Sequence, residues 1–431
     1  MRAAGPAPSQ TAAAARRRGA GFQWCGARDR DLVATHRGGI GIRPDPRLAT
    51  PKTTCDRPRS ERCRERQAEE PRTGPGLGTA GCAAINPTPL PLRPAVGGQH
   101  VAFRSEASRN ARGRSRFPVG HDRAKLHGMK VGVSLRSGYA PMDARTGARW
   151  LVERARAARN ASLDSLFVGD HHNVPVPYYQ NVPMLGRLLA EWDERPAGAL
   201  FLLPLWHPVL LAEQIGTLAS IASGPFVMQC AVGAGVEQFD ALGVPIRTRA
   251  SRFEAVLDIV RRLCAGEEVN SDGPFPITRA RIAPIPPQPL EVWIGAAADV
   301  AVDRAARLGD AFLIGPEATP AQVSVLADTY RAACARHNRD VIRIAVRRDV
   351  HVGADDRDAQ RVAGPILGRG YRGFDPAAPV VGGPDTVAAA FAHLATMGCT
   401  DVIIRHLSDD HDEVLASFER LGAVRTSVAH I

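Results

Sequence analysis

Residues 129–431 predict an α/β protein of the closed (β/α)8 class, a TIM barrel, preceded by a long basic segment predicted to be disordered. Three observations carry that expectation. Short apolar strands alternate with helical stretches from Met129 almost to the C-terminus. Eight such strands can be counted, the number that closes a parallel barrel. The glycine fingerprint G-x-G-x-x-G, which a doubly wound open sheet carries after its first strand, is absent there.

The elements follow in order. Lys130–Leu135 is the first strand and Ala144–Ala161, rich in Ala and Arg, the first helix. Leu163–Gly169 is the second strand, and Ala197–Leu203 the third, stopped by Pro204. Pro208 opens a helix over Val209–Ala222, at a position where its missing N–H costs nothing. Phe226–Val232 is strand four, and Arg249–Cys264 its helix. A proline-rich excursion at 266–290 breaks the rhythm. Strand five is Glu291–Gly295, followed by a helix over Val300–Leu308. Strand six is Asp310–Gly315 with a helix over Pro320–Arg336, and strand seven Val341–Val352 with helices over Asp356–Leu367 and Asp385–Met397. Thr400–Arg405 closes the set, with a last helix over Asp412–Leu421.

The net charge of +11 divides unevenly. Residues 1–128 hold 24 Lys/Arg against 10 Asp/Glu, whereas 129–431 hold 31 against 34. The basic segment is rich in Arg, Pro, Gly and Ala without apolar periodicity, so it cannot bury enough surface to offset chain entropy. It lacks the interleaved aromatics of a nucleic-acid arm and the apolar run of an export signal, which disfavours both. Met129-Lys130-Val131-Gly132-Val133 reads as a natural start, and 1–128 as an over-extended one. Cys25, Cys55, Cys63 and Cys82 form no C-x-x-C pair, and Cys230, Cys264, Cys334 and Cys399 are scattered singly. A reduced, cytoplasmic protein with no membrane span is the expectation.

Chemistry concentrates after strand two, in Gly169-Asp170-His171-His172. Polar groups just past the C-terminal end of a barrel strand lie on the face where sites are built, and imidazole titrates near neutrality. Strands four, five and six end in small-residue turns: Ala231-Val232-Gly233-Ala234-Gly235, Ile294-Gly295-Ala296-Ala297-Ala298 and Ile314-Gly315-Pro316. Such turns let backbone N–H groups approach an anion, or simply close tight connections. Arg249, Arg252 and Glu254 read as a salt-bridged helix start, and Trp206, His207, Tyr178 and Tyr179 as either walls of a ligand site or packing anchors. A metal hydrolase built on the two histidines would need further His, Asp or Glu at other strand ends, and strands one, three, four and five offer only the offset His207. No metal is expected.

Taken in order, these pieces resemble the luciferase-like monooxygenase family. Leu166-Phe167-Val168-Gly169-Asp170-His171-His172 is similar to its second-strand motif, and Leu202 to Gln214 to its third-strand and helix signature. Val232-Gly233-Ala234-Gly235 to Phe239, Val292-Trp293-Ile294-Gly295, Arg307 to Ala311, and Gly382-Gly383-Pro384-Asp385 resemble later blocks. The resemblance spans 129–431. It implies a (β/α)8 barrel that binds FMN or the deazaflavin F420 at its C-terminal rim and performs hydride transfer or oxygen activation on a small organic substrate. His171, His172 and Asp170 would be the catalytic group. A strained bulge in strand three near Ala199 and Leu200 would back the ring, while Gly233, Ala234, Gly295, Ala296, Ala297 and Gly315 would hold the cofactor's side chain and phosphate. A homodimer is compatible with the family.

Ser223-Gly224-Pro225-Phe226 stands where the family usually has Ser-Gly-Gly-Arg, which leaves the choice between F420 and FMN open. Arginine outnumbers lysine 52 to 3, a sign of GC-rich coding, and on that association F420 is preferred. The alternatives are the metal-dependent barrel hydrolase and a non-catalytic barrel that binds a flavin-like ligand.

Overall fold

The computed structural model describes residues 128–139 and 142–430. The expected disorder of the basic segment falls outside them, Gly128 apart. The chain from Lys130 alternates strand and helix. β1 (Lys130–Leu135), α1 (Ala144–Asn160), β2 (Leu166–Val168), α2 (Asn181–Leu188), β3 (Ala197–Leu202), α3 (Pro208–Ile221) and β4 (Phe226–Ala231) form the first half. α4 (Val236–Ala241) and α5 (Arg249–Cys264) precede a separate antiparallel hairpin of β5 (Val269–Ser271) and β6 (Ile277–Ala280). The second half is β7 (Glu291–Gly295), α6 (Asp299–Leu308), β8 (Ala311–Ile314), α7 (Pro320–Arg336), β9 (Ile344–Val352), α8 (Asp356–Leu367), β10 (Val380–Gly382), α9 (Pro384–Thr396), β11 (Asp401–His406) and α10 (His411–Val428).

Eight strands pair in parallel in the order β9-β11-β1-β2-β3-β4-β7-β8, and β8 pairs back to β9, closing the barrel. The expected fold is therefore the observed one. β10 adds only a short ladder to the far end of β9, from Val380↔Val350 to Gly382↔Val352. Strands with a lumen on one face and helices on the other must be apolar on both, and β1 accordingly buries every residue after Lys130. Helix starts are written locally: Asp143 accepts from Thr146 N–H, Thr319 and Gln322 form a capping box, and Pro208 and Pro384 open α3 and α9.

Alternation along the strands sorts the core into two layers. Phe167, Val227, Trp293, Ala311, Leu313, Ala345 and Ile403 fill the lumen. The outward residues, such as Leu166, Val168, Phe201 and Ile404, pack under the helices. β3 and β4 approach closely at Gly198, where a Cβ would stand 1.8 Å from the Val227 carbonyl oxygen. The N-terminal end of the barrel is sealed by charge. Arg343 Nη1 donates to both Asp401 oxygens at 2.7 and 2.9 Å, and its Nε lies 3.3 Å from Glu291, which also accepts from the Trp293 indole at 2.7 Å. Only the C-terminal end is left for a site.

Four elements were not expected from the sequence: α2, α4, the β5–β6 hairpin and β10. The strained bulge expected near Ala199-Leu200 is also not found. β3 keeps unbroken register with β4 from Ala197↔Phe226 to Leu202↔Ala231, and neither residue has positive φ. Where the ladder with β2 ends at Ala199, side chains satisfy the backbone of β3: Asn181 Nδ2 donates to the Leu200 carbonyl at 2.8 Å, and Leu202 N–H donates to Asp170 at 2.8 Å. Among the described residues no helix is long and apolar enough to cross a membrane.

Candidate active site

The chain leaves β2 through Gly169 into Asp170, which is fully buried. Its Oδ2 accepts from Leu202 N–H at 2.8 Å and from the Trp206 indole at 2.9 Å, so it ties the ends of β2 and β3 together. Its Oδ1 lies 3.2 Å from His172 Nε2, an ion-pair contact not aligned as a hydrogen bond. Burial opposes protonation of His172, but Asp170 outweighs it and raises the imidazole pKa above 6.5. His171 is the reverse case. Burial lowers its pKa; Asp170 opposes this, while Arg405 and Arg347 reinforce it. Its Nδ1 is buried without a hydrogen-bond partner. The two imidazoles thus differ in charge tendency although they are adjacent in sequence.

The loop carrying them is pinned on both sides. His172 N–H donates to Gln238 Oε1 at 2.9 Å, Asn173 Nδ2 to the Glu237 carbonyl at 3.2 Å, and Gln180 Nε2 to the His171 carbonyl at 3.1 Å. Tyr178 returns over the strand end, edge-on to His171 at 5.5 Å between ring centroids. Burial pushes its phenol pKa up to about 12, so it remains a donor.

The other expected residues divide. Ala199 packs outward under the helices, while Leu200, half-buried, shares the lumen face with Gln229 directly opposite it. Gly233 needs its glycine, with φ +74 and the Phe239 ring 3.3 Å from a Cβ position, and Ala234 beside it accepts from Gln238 Nε2 at 2.8 Å. Around Gly295 a Cβ would make only ordinary van der Waals contacts, the nearest 3.5 Å from the Cys230 carbonyl oxygen, so this position does not require glycine for space. Gly315 is different: the Glu317 carboxyl lies 2.3 Å from where its Cβ would stand, filling that turn with an acid. Of the salt-bridged helix start expected at Arg249, Arg252 and Glu254, only Glu254 forms ion pairs, with Arg304 and Arg307 of α6, both at 2.9 Å, while Arg252 donates to the Pro204 carbonyl. Trp206 serves Asp170, and His207 packs on Phe275.

The sequence reading missed two things. Gln229 projects into the lumen, 2% exposed, with Nε2 lacking any partner. The C-terminal halves of β9 and β11 place Arg347, Asp349 and Arg405 on the lumen face, as their alternation with Ala345 and Ile403 requires. Among the described residues no three His, Cys, Asp or Glu side chains converge as a metal site would require. A groove of about 580 Å³ lies between α1 and α2; Tyr179 and Gln180 of the histidine loop line it, but Asp170, His171 and His172 do not.

The family model for luciferase-like monooxygenases matches residues 129–396. The chain belongs to that family. An F420-dependent glucose-6-phosphate dehydrogenase of Kribbella flavida is 28% identical over 194 residues, which is 42% of this chain and 57% of that enzyme. The chain therefore matches little more than half the length of that relative. An F420-dependent secondary alcohol dehydrogenase in complex with an F420-acetone adduct superposes with a TM-score of 0.58 at 15% identity, over 69% of this chain and 99% of its own. The oxygenating constituent of 3,6-diketocamphane monooxygenase from Pseudomonas putida, in complex with FMN, gives 0.59 at 18% identity over 68% and 97%. At such identities the likeness is one of fold. For a luciferase-like barrel, the lumen residues at the C-terminal mouth form the candidate site. A planar ring cofactor fits what is there: an apolar wall at Leu200, a glycine turn at Gly233, and unpartnered groups at Gln229 Nε2 and His171 Nδ1.

Proposed function

We propose that the protein is an oxidoreductase that binds F420, or failing that FMN, across the C-terminal mouth of the barrel and acts on a small organic substrate. The observation that carries this is the Asp170–His171–His172 unit: one imidazole kept neutral with a free ring nitrogen, beside one drawn toward its protonated state by a buried carboxylate. Oxidising an alcohol to a carbonyl requires a base for the hydroxyl proton, and the reverse requires an acid. His171 takes the proton on its imidazole, at Nε2, the ring nitrogen that is not buried without a partner. Asp170 holds the loop and His172 in place, and Tyr178 covers the strand end. When bound, the deazaflavin or flavin ring supplies the hydride acceptor or donor.

Leu200 and Gln229 would face the ring, with the Gln229 amide donating to one of its carbonyls, and an orphaned buried donor is the kind of group a ligand completes. Gly233-Ala234 and Gly295-Ala296-Ala297 would hold the phosphate-bearing side chain. F420 comes first because curated relatives depend on it. The test is titration of the full chain with F420 and with FMN, followed by cofactor fluorescence. Saturable quenching by F420 supports the reading. No quenching by either cofactor up to about 50 μM, equivalent to about −6 kcal/mol, refutes it.

A further inference from the structure

One third of the rim holds more positive charge than it neutralises. Arg347 and Arg405 face the lumen from β9 and β11, and Arg136 follows β1 directly. Arg372 and Tyr371, from the turn at 371–373, reach over the same point. Asp349, 1% exposed, accepts from Tyr371 Oη at 2.8 Å and Arg372 Nη1 at 2.7 Å, and lies 3.5 Å from Arg405 Nε. Arg136 pairs with Asp409 at 2.5 Å. Two carboxylates thus serve four guanidiniums. Arg347 is left with the Ser134 hydroxyl at 3.3 Å, and its Nε is buried without a partner.

Two further groups face this point. Tyr178 has its phenol pKa pushed up to about 12 and adds no negative charge near neutral pH. Glu317 is a third carboxyl near this point: burial raises its pKa while Arg347 and Arg372 lower it, and even with it counted the four guanidiniums outnumber the carboxylates. Burial draws the Arg347 pKa down to about 10, and the neighbouring Arg405 pushes it the same way. Cations crowded without neutralisation are stabilised by an anion, and the planar guanidinium fork matches an oxyanion's geometry.

We propose that Arg347, Arg405, Arg372 and Arg136 form a subsite for an oxyanion group, a carboxylate, phosphate or sulfonate, carried by the substrate. The competing source is the cofactor, which bears a phosphate of its own. The barrel order separates the two. β11, at the centre of the arginine group, lies four strands from β4, whose Gly233 turn is diametrically across the mouth. A cofactor phosphate at that turn leaves the arginines for another molecule. Assigning the anion to the substrate rests on the cofactor reading above; the anion site itself does not.

The experiment uses the full chain, with inorganic phosphate as the probe and sodium chloride at matched ionic strength as control. Phosphate raises the thermal midpoint saturably in the wild type, the rise disappears in Arg347→Gln, and Arg347→Lys restores part of it. F420 and FMN titrations in the presence of phosphate, and in Arg347→Gln, leave cofactor affinity within about twofold. A wild type that phosphate does not stabilise beyond the chloride control overturns the site. Loss of cofactor affinity by about tenfold in Arg347→Gln, or displacement of cofactor by phosphate, overturns the substrate assignment and gives the anion to the cofactor. If Arg347→Gln does not fold, the wild-type phosphate titration and its competition with cofactor decide the matter alone. Phosphate binding without binding of either cofactor refutes the flavin reading and leaves the anion site standing.

Discussion

Replacing Asp170 by asparagine tests whether one buried carboxylate organises the whole strand end. In the native chain, Oδ2 accepts two N–H groups, from Leu202 at 2.8 Å and Trp206 at 2.9 Å, and Oδ1 faces His172 at 3.2 Å. In Asp170→Asn the amide can turn its single carbonyl oxygen toward the same two donors, so neither is orphaned, but both bonds lose charge assistance. A bond to a charged group contributes about 1.5–3 kcal/mol and a neutral one about 1, so the pair loses about 2 kcal/mol. Asp170→Ala strands both donors and leaves a cavity, and about 5 kcal/mol is expected. The pH dependence gives a second check. The folded-state pKa of His172 is raised above its unfolded value, so the Asp170–His172 contribution is fully present below pH 6.5 and is lost as pH rises through the folded pKa. The destabilisation by Asp170→Asn is therefore larger at pH 5.5 than at pH 8.5. Urea unfolding at both pH values measures it, and ring-proton titration should show the His172 pKa falling in the variant. A loss under about 0.5 kcal/mol, or one independent of pH, refutes the reasoning.

Other consequences follow from the same geometry. His351 is fully buried with both ring nitrogens unpartnered, and burial lowers the pKa of His406 to about 3. The His351 pKa is also lowered, so the unfolded chain protonates first and stability present above pH 6.5 is lost on acidification. Between pH 6.5 and its folded pKa, His406 then costs up to about 1.4 kcal/mol per pH unit, His351 acts in the same direction, and a urea midpoint that stays flat from pH 6.5 to 5 would contradict this. Gly233→Ala forces an L-residue to φ +74, expected to cost about 1–2 kcal/mol and to weaken cofactor binding; unchanged binding removes this turn from the cradle. Asp401→Asn breaks the pair with Arg343 at the closed end, where about 3–5 kcal/mol of stability should be lost while cofactor affinity holds, checked by denaturant unfolding beside a cofactor titration.

The barrel is legible in the sequence because eight short apolar runs alternate with helices, and that rhythm survives small errors of boundary. Strand two is a case in point: Leu163–Gly169 reads as one run, yet only Leu166–Val168 ladders as strand. α2 is hidden because Asn181-Val182-Pro183-Met184-Leu185-Gly186 looks like a loop, although proline is tolerated in a first helical turn. The histidine pair is visible as an abrupt change from apolar to titratable residues, but its opposite charge tendencies depend on the burial of His171, on Asp170 and on two distant arginines. Arg347, Asp349 and His351 lie in a strand whose run Arg347-Arg348-Asp349 breaks an otherwise apolar pattern, which was a signal in the sequence. Their excess of positive charge was not, because Arg136, Arg372 and Arg405 come from elements brought together only by barrel closure. Gln229 gave no signal at all, since an isolated glutamine in a strand reads like any polar residue.

The proposed seat of the flavin-type ring is the mouth of this barrel. A crystal structure of the full chain soaked with F420 tests it most directly. Ring density is expected beside Leu200 and Gln229, within reach of His171, with phosphate density at the Gly233 turn. Density in the groove between α1 and α2, or phosphate density on Arg347 and Arg405 with the Gly233 turn empty, would contradict it.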